Sequence, residues 1–254
     1  MNCIVIAVGN TNCRVAAMGG GELLRPATII PTRALNTSTL AGIMRGQAAA
    51  FPQPRIVLCS VVPAAVEAAV SACIEACGTA PLQVKPERVD WMKIRYEPVS
   101  DLGADRLCVL LGARLKHGYP IVAVDFGTAV TVNVIDRNGA FAGGCIFPGM
   151  AAALRALNTE TAQLPLPGLP EQAPPLLARS TTGSLRSGVY WSVVLGIEGI
   201  ATRLEQEFGK DFPVILTGGG MRAAAAVMSR RCVMDEHLLL YGAAEYAERA
   251  EGGN

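Results

Sequence analysis

Histidine is nearly missing from this sequence: only His117 and His237 occur, too few for the His-based sets that hold catalytic zinc. None of the eight cysteines forms a Cys-x-x-Cys pair. Cys73 and Cys77 sit four apart on an expected helix, which is half a metal site at most. They read as small buried hydrophobes in a reducing compartment. Charge is sparse and balanced, at 17% of residues and a net +1. Without a basic block the chain lacks the footprint of nucleic-acid binding. No run of 18 uncharged apolar residues appears, so no membrane span is expected. The first residues lack a basic n-region and a cleavage site, so a cytoplasmic protein without a signal peptide is expected. Gly-x-x-x-x-Gly-Lys-Ser/Thr is absent, and so is Gly-x-Gly-x-x-Gly after a strand. P-loop kinases and dinucleotide-binding folds are thereby disfavoured.

What is present is apolar. Hydrophobic residues make up 51% of the 254 positions, enough for one large core or two domains of about 100–150 residues. Cys3 to Val8 is an apolar run ending in Gly9-Asn10-Thr11-Asn12, followed by Val15 to Met18 and three glycines: strand, turn, strand. Helices are expected over 36–50 and 63–77, with a strand at 55–59 between them and a further one at 81–86. Residues 105–116 read as another helix.

The pattern then repeats. Ile121 to Asp125 leads into Phe126-Gly127-Thr128, Val130 to Ile135 continues, and Ala140 to Phe147 adds a strand. A helix is expected from Pro148-Gly149 to about Asn158. A loop with five prolines spans 163–175. A long helix covers 184–208, a buried strand covers 214–216, and Thr217-Gly218-Gly219-Gly220 leads into a helix at Met221. Strands alternating with helices predict α/β layers. The repeat predicts two related domains, 1–117 and 118–254, facing each other across a cleft.

A turn that combines Gly with Thr offers a ligand backbone N–H groups and a hydroxyl, with no Cβ in the way. Two such turns can clamp a polyphosphate, and Thr217-Gly218-Gly219 before a helix favours an anion or a nucleotide edge. Singly, each motif is common in ordinary hairpins.

In order, however, the motifs resemble those of type III pantothenate kinases. Gly9-Asn10-Thr11 with Arg14 is similar to the first phosphate motif, and Ser60-Val61-Val62-Pro63 to the turn after the third strand. Tyr96 and Gly103-Ala104-Asp105-Arg106 are similar to the pantothenate-side motif. Asp125-Phe126-Gly127-Thr128-Ala129 resembles the second phosphate motif, followed by Gly143 to Gly149, Thr161 to Pro165, Thr181, Ser187-Gly188 and the adenosine motif Thr217-Gly218-Gly219. The resemblance implies an actin-like ATPase (ribonuclease H-like) fold, with two related α/β domains of mixed sheets flanked by helices. It also implies phosphorylation of pantothenate by ATP, at the start of coenzyme A synthesis. Asp105 would be the general base. Tyr96, Gly103, Ala104, Arg106 and Thr181 would bind pantothenate. Gly9, Asn10, Thr11, Arg14, Gly127, Thr128, Thr217, Gly218 and Gly219 would bind ATP. Asp125 would serve the metal or monovalent-cation environment. Mg²⁺, K⁺ or NH₄⁺, and a homodimer are implied as well.

The chain departs from that pattern at Ala7, where the first motif normally has Asp. No aspartate occurs anywhere in residues 1–89, so none replaces it by a small slip in register. Asn133 stands where the family usually has an acidic residue. A methyl group supplies neither charge nor lone pairs, and losing such a group is expected to slow phosphoryl transfer by about 10²–10³. The departures leave two classes of function open, a working or weakened pantothenate kinase and a non-catalytic nucleotide-binding or regulatory relative; a kinase acting on another small hydroxyl compound is a third reading, because sequence does not fix the shape of the pocket.

Overall fold

Both apolar runs that precede a Gly-Thr turn form the first strand of a hairpin at the centre of a mixed sheet. In the computed structural model, which describes residues 2–209 and 212–250, two compact units emerge: Met1–Gly118 with His237–Asn254, and Tyr119–Glu236.

In the first unit, β1 (Asn2–Val8) and β2 (Asn12–Gly19) pair antiparallel, and β3 (Glu22–Leu23) and β4 (Thr28–Pro31) pair with β2. β5 (Arg55–Ser60) runs parallel to β1, and β6 (Leu82–Gln83) parallel to β5. The order is β3-β2-β1-β5-β6. Side chains alternate along each strand. Ile4, Ile6, Val8, Cys13, Val15, Ile56 and Leu58 therefore share one face, where they pack with residues of α1 (Thr37–Ala48) and α2 (Pro63–Cys77). Asn36 caps α1 by accepting from the Thr39 amide at 2.9 Å. Pro63 starts α2, and Gly78 at φ 71 ends it, as the left-handed stop of a helix requires.

The opposite face is covered by α3 (Ala104–His117) and α7 (Leu238–Arg249). These two helices cross at glycines. A Cβ on Gly112 would overlap the Leu238 carbonyl, and one on Gly242 the Cys108 carbonyl. The Tyr246 hydroxyl accepts from the Lys85 amide at 3.1 Å. Sequence reading placed 118–254 in one domain and did not identify a helix at 238–249. In the structure α7 packs in the first unit, where it buries Leu238, Leu240, Ala243, Tyr246 and Ala247.

The second unit has the order β11-β10-β7-β8-β9. Its strands are β7 (Ile121–Phe126), β8 (Ala129–Ile135), β9 (Phe141–Pro148), β10 (Val214–Gly218) and β11 (Cys232–Met234). The hairpin β7-β8 is antiparallel and β10 is parallel to β7, which repeats the arrangement of β1, β2 and β5. Val122, Val124, Val130, Val132, Val214 and Leu216 pack with α5 (Thr181–Phe208) and α6 (Met221–Ala225). α4 (Met150–Glu160) follows β9. The proline-rich loop is pinned by side chains of α5: Arg186 donates to the Gly168 carbonyl at 2.9 Å, Ser187 to Leu176 at 2.7 Å and Trp191 to Pro174 at 3.0 Å. Among the described residues, no helix is long and apolar enough to cross a membrane.

Candidate active site

In the first unit the expected site residues lie at the ends of β1 and β5 and the start of α3. The β1-β2 turn closes with the Gly9 amide donating to the Asn12 carbonyl at 3.0 Å. Thr32 holds the turn from outside: its hydroxyl donates to the Gly9 carbonyl at 2.6 Å, and its amide to Thr11 at 2.8 Å. Asn10 and Thr11 are exposed at the tip. The loop after β5 is tied to β1 by the Val61 amide, which donates to Val8 at 3.1 Å, and it turns on the Ser60 hydroxyl.

Asp105 lies in the first turn of α3, half-buried. Its Oδ1 accepts from the Arg106 amide at 2.7 Å. A Cβ on Gly103 would come within 2.7 Å of that oxygen and 3.9 Å of Val61, so glycine leaves room for the carboxylate to fold back over the helix start. Burial pushes the Asp105 carboxyl above its ordinary value, while the Arg106 amide and guanidinium pull partly the other way. The result is a carboxylate more basic than usual, which suits a proton acceptor. Arg106 is buried at 5% exposure. It donates to the Tyr96 hydroxyl at 3.2 Å and lies 5.4 Å from the centre of that ring.

The second unit builds an analogous turn. The Gly127 amide donates to the Ala129 carbonyl at 3.0 Å, and the Gly149 amide at the start of α4 donates to Thr128 at 3.0 Å. A Cβ on Gly149 would strike the carbonyls of both Gly127 and Thr128, so only glycine lets α4 approach. Gly218 has φ 83, and a Cβ there would collide with Asp125 Oδ1 and with the backbone of Phe126. The Gly219 amide donates to the Phe126 carbonyl at 3.1 Å, which joins the Thr217-Gly218-Gly219 turn to the Gly127-Thr128 turn. Asp125, Thr131, Asn133 and Thr217 lie on the sheet face opposite the packed valines. Asn133 is fully buried and donates to the Thr131 hydroxyl at 3.1 Å.

The expected site residues thus fall into groups. Gly9, Asn10, Thr11, Arg14, Tyr96, Gly103, Ala104, Asp105 and Arg106 belong to the first unit, and Asp125, Gly127, Thr128, Thr217, Gly218 and Gly219 to the second. Thr181 sits at the first turn of α5, on the wall of a cavity of about 390 Å³ that Leu157, Leu164, Leu185 and Val189 also line. Sequence reading missed Cys59 and Cys108. The Cys108 thiol beside it, with burial and the charge of Asp105, pushes the Cys59 thiol well above its usual 9.0. No spacing rule flags two cysteines 49 positions apart; only the pairing of β5 with α3 brings them together.

Divalent-metal ligands are few. Among the described residues no cluster of three or more His, Cys, Asp or Glu is formed. Mg²⁺ in phosphoryl-transfer sites needs only one or two carboxylates besides phosphate oxygens. Asp125 fits that role, whereas Ala7 does not.

The family model for type III pantothenate kinase matches residues 3–203. The chain belongs to the type III pantothenate kinase family. A family member from Acidiphilium cryptum is 36% identical over 246 residues, covering 94% of this chain and 91% of that one. Similar folds occur in a Baf-family protein of Campylobacter jejuni described as a transcriptional activator (TM-score 0.65, 17% identity, 98% and 99% of the two chains). They occur also in the activator of 2-hydroxyisocaproyl-CoA dehydratase from Clostridium difficile with bound ADPNP (TM-score 0.58, 13% identity, 99% and 96%). The actin-like ATPase fold and the family read from the ordered motifs are both correct, and this pantothenate kinase family member is a phosphotransferase.

Proposed function

We propose that this enzyme transfers the γ-phosphoryl group of ATP to the primary hydroxyl of pantothenate, giving 4'-phosphopantothenate and ADP at the first step of coenzyme A synthesis. The observation that carries the reading is Asp105: a carboxylate made basic by burial, at the start of α3, in a chain of this family. Asp105 accepts the hydroxyl proton as the oxygen attacks the γ-phosphorus. The bond from that phosphorus to the β-phosphate bridging oxygen breaks, ADP leaves, and the proton passes on to water. Tyr96, Gly103, Ala104, Arg106 and Thr181 bind pantothenate. The turns at Gly9-Asn10-Thr11 and Gly127-Thr128, with Arg14, bind phosphates, and Thr217-Gly218-Gly219 binds the adenosine.

Mg²⁺ beside Asp125 would neutralise phosphate charge and lower the repulsion met by the incoming oxygen. A monovalent cation, K⁺ or NH₄⁺, a homodimer and a cytoplasmic location complete the proposal by family resemblance. The test is ADP release in a coupled assay with pantothenate, Mg²⁺ and K⁺. Asp105→Asn should lower kcat by about 10²–10⁴ with ATP binding retained. Nucleotide binding by the unaltered protein with no phosphorylated pantothenate would overturn the reading.

A further inference from the structure

The strand register places a cation, and no carboxylate, where the first phosphate turn begins. Ala7 and Arg14 are direct cross-strand partners, and Cys59 is the other neighbour of Ala7. All three lie on the sheet face that α3 covers, opposite the face of Ile4, Ile6, Val8, Cys13 and Val15. Side chains paired this way start about 4.5–5.5 Å apart. Arg14 is half-buried. Among the described residues its guanidinium makes no hydrogen bond or ion pair.

The second hairpin is built oppositely. Asp125 pairs with Thr131 and Thr217, so hydroxyls surround a carboxylate there. At the first hairpin a methyl, a thiol held protonated and a guanidinium surround the equivalent position. That set offers Mg²⁺ no hard oxygen ligand, and the guanidinium repels a divalent ion. An arginine not engaged by a carboxylate is instead suited to grip phosphate oxygens bidentately.

We infer that Arg14 takes the place of a carboxylate-held metal at the first hairpin, gripping the nucleotide's phosphate chain directly, so that this half of the phosphate site works without a divalent ion. The identity of the ligand rests on the kinase reading above; the charge pattern does not.

Calorimetric titration of ATP in excess EDTA, with adenosine as a control, tests this on the full chain. The unaltered protein should bind metal-free ATP. Arg14→Gln should weaken that binding about ten- to hundredfold and leave adenosine binding unchanged, and Arg14→Lys should lose less. Ala7→Asp keeps Arg14 but sets a carboxylate against it, so metal-free binding should fall and added Mg²⁺ should restore it. This second variant decides the matter if Arg14→Gln does not fold. Failure of the unaltered protein to bind metal-free ATP would overturn the inference. So would equal metal-free binding by a folded Arg14→Gln variant, or an unchanged response of Ala7→Asp to EDTA and Mg²⁺. Arg14-dependent binding without pantothenate phosphorylation would support the inference while sinking the kinase reading. Turnover with Arg14-independent binding would do the reverse.

Discussion

At equivalent register positions the two Gly-Thr hairpins carry opposite chemistry. β1 presents Ala7 to Arg14 and Cys59, while β7 presents Asp125 to Thr131 and Thr217. Both hairpins sit centrally in their sheets, each with a parallel strand alongside. The backbone plan is therefore shared, and what differs is which side chain carries charge at the turn. A duplicated fold fixes where a charge can stand; the residues at each copy decide its sign.

The proposed proton acceptor, Asp105, belongs only to the α3 side of this comparison, and its loss should have the largest effect. Because burial raises the Asp105 carboxyl above its ordinary 3.8, the acid limb of kcat/KM should fall at a higher pH than an unperturbed carboxylate gives. Activity is lost as pH drops through the raised value. Stability runs the other way. Between the ordinary and the raised value the folded state holds the proton more tightly, so stability declines as pH rises through that window. Asp105→Asn should remove the acid limb and should not lower the neutral-pH Tm. A destabilised variant that kept the limb would assign the limb to another group.

Asp125→Asn makes the two hairpins alike by removing the carboxylate of the second. The rate should drop by about 10²–10³, and the Mg²⁺ concentration needed for half-maximal rate should rise. A variant with unaltered Mg²⁺ dependence would break the assignment of the divalent ion to Asp125.

The turns are also anchored differently. Gly149 brings α4 down on the second, with its amide on the Thr128 carbonyl. Gly149→Ala drives a Cβ into two backbone carbonyls that cannot swing away. Such overpacking costs typically about 1–3 kcal/mol, and thermal unfolding should show it, together with a higher KM for ATP. An unchanged KM would mean that the turn tolerates displacement of α4.

Much of the fold is legible in the sequence itself. Apolar runs, Gly-Thr turns and the proline-rich loop marked the elements, because strand and helix periods are local. Gly127, Thr128 and Gly149 were visible as motif residues, although the contact of Gly149 with the turn was not. The thiol pair Cys59 and Cys108 and the seating of α7 on α3 were invisible for one reason. Each depends on which elements meet, and a glycine such as Gly242 shows its packing role only when the facing Cys108 backbone is known. Ala7 was seen as a departure; that Arg14 faces it follows from the register of β1 with β2.

The smallest effect concerns the anchor of the first turn. There a side chain does what Gly149 does in the second: the Thr32 hydroxyl donates to the Gly9 carbonyl at 2.6 Å. Thr32→Val keeps the shape and the backbone bond from the Thr32 amide to Thr11, and removes only that hydroxyl. One such hydrogen bond contributes about 0.5–1.5 kcal/mol, so the KM for ATP should rise by roughly two- to tenfold with kcat little changed. The turn would loosen without moving Asp105, which is carried by α3. A loss confined to kcat would instead mean that the first turn positions the reacting phosphate rather than merely holding the nucleotide, and the two hairpins would then differ in task as well as in charge.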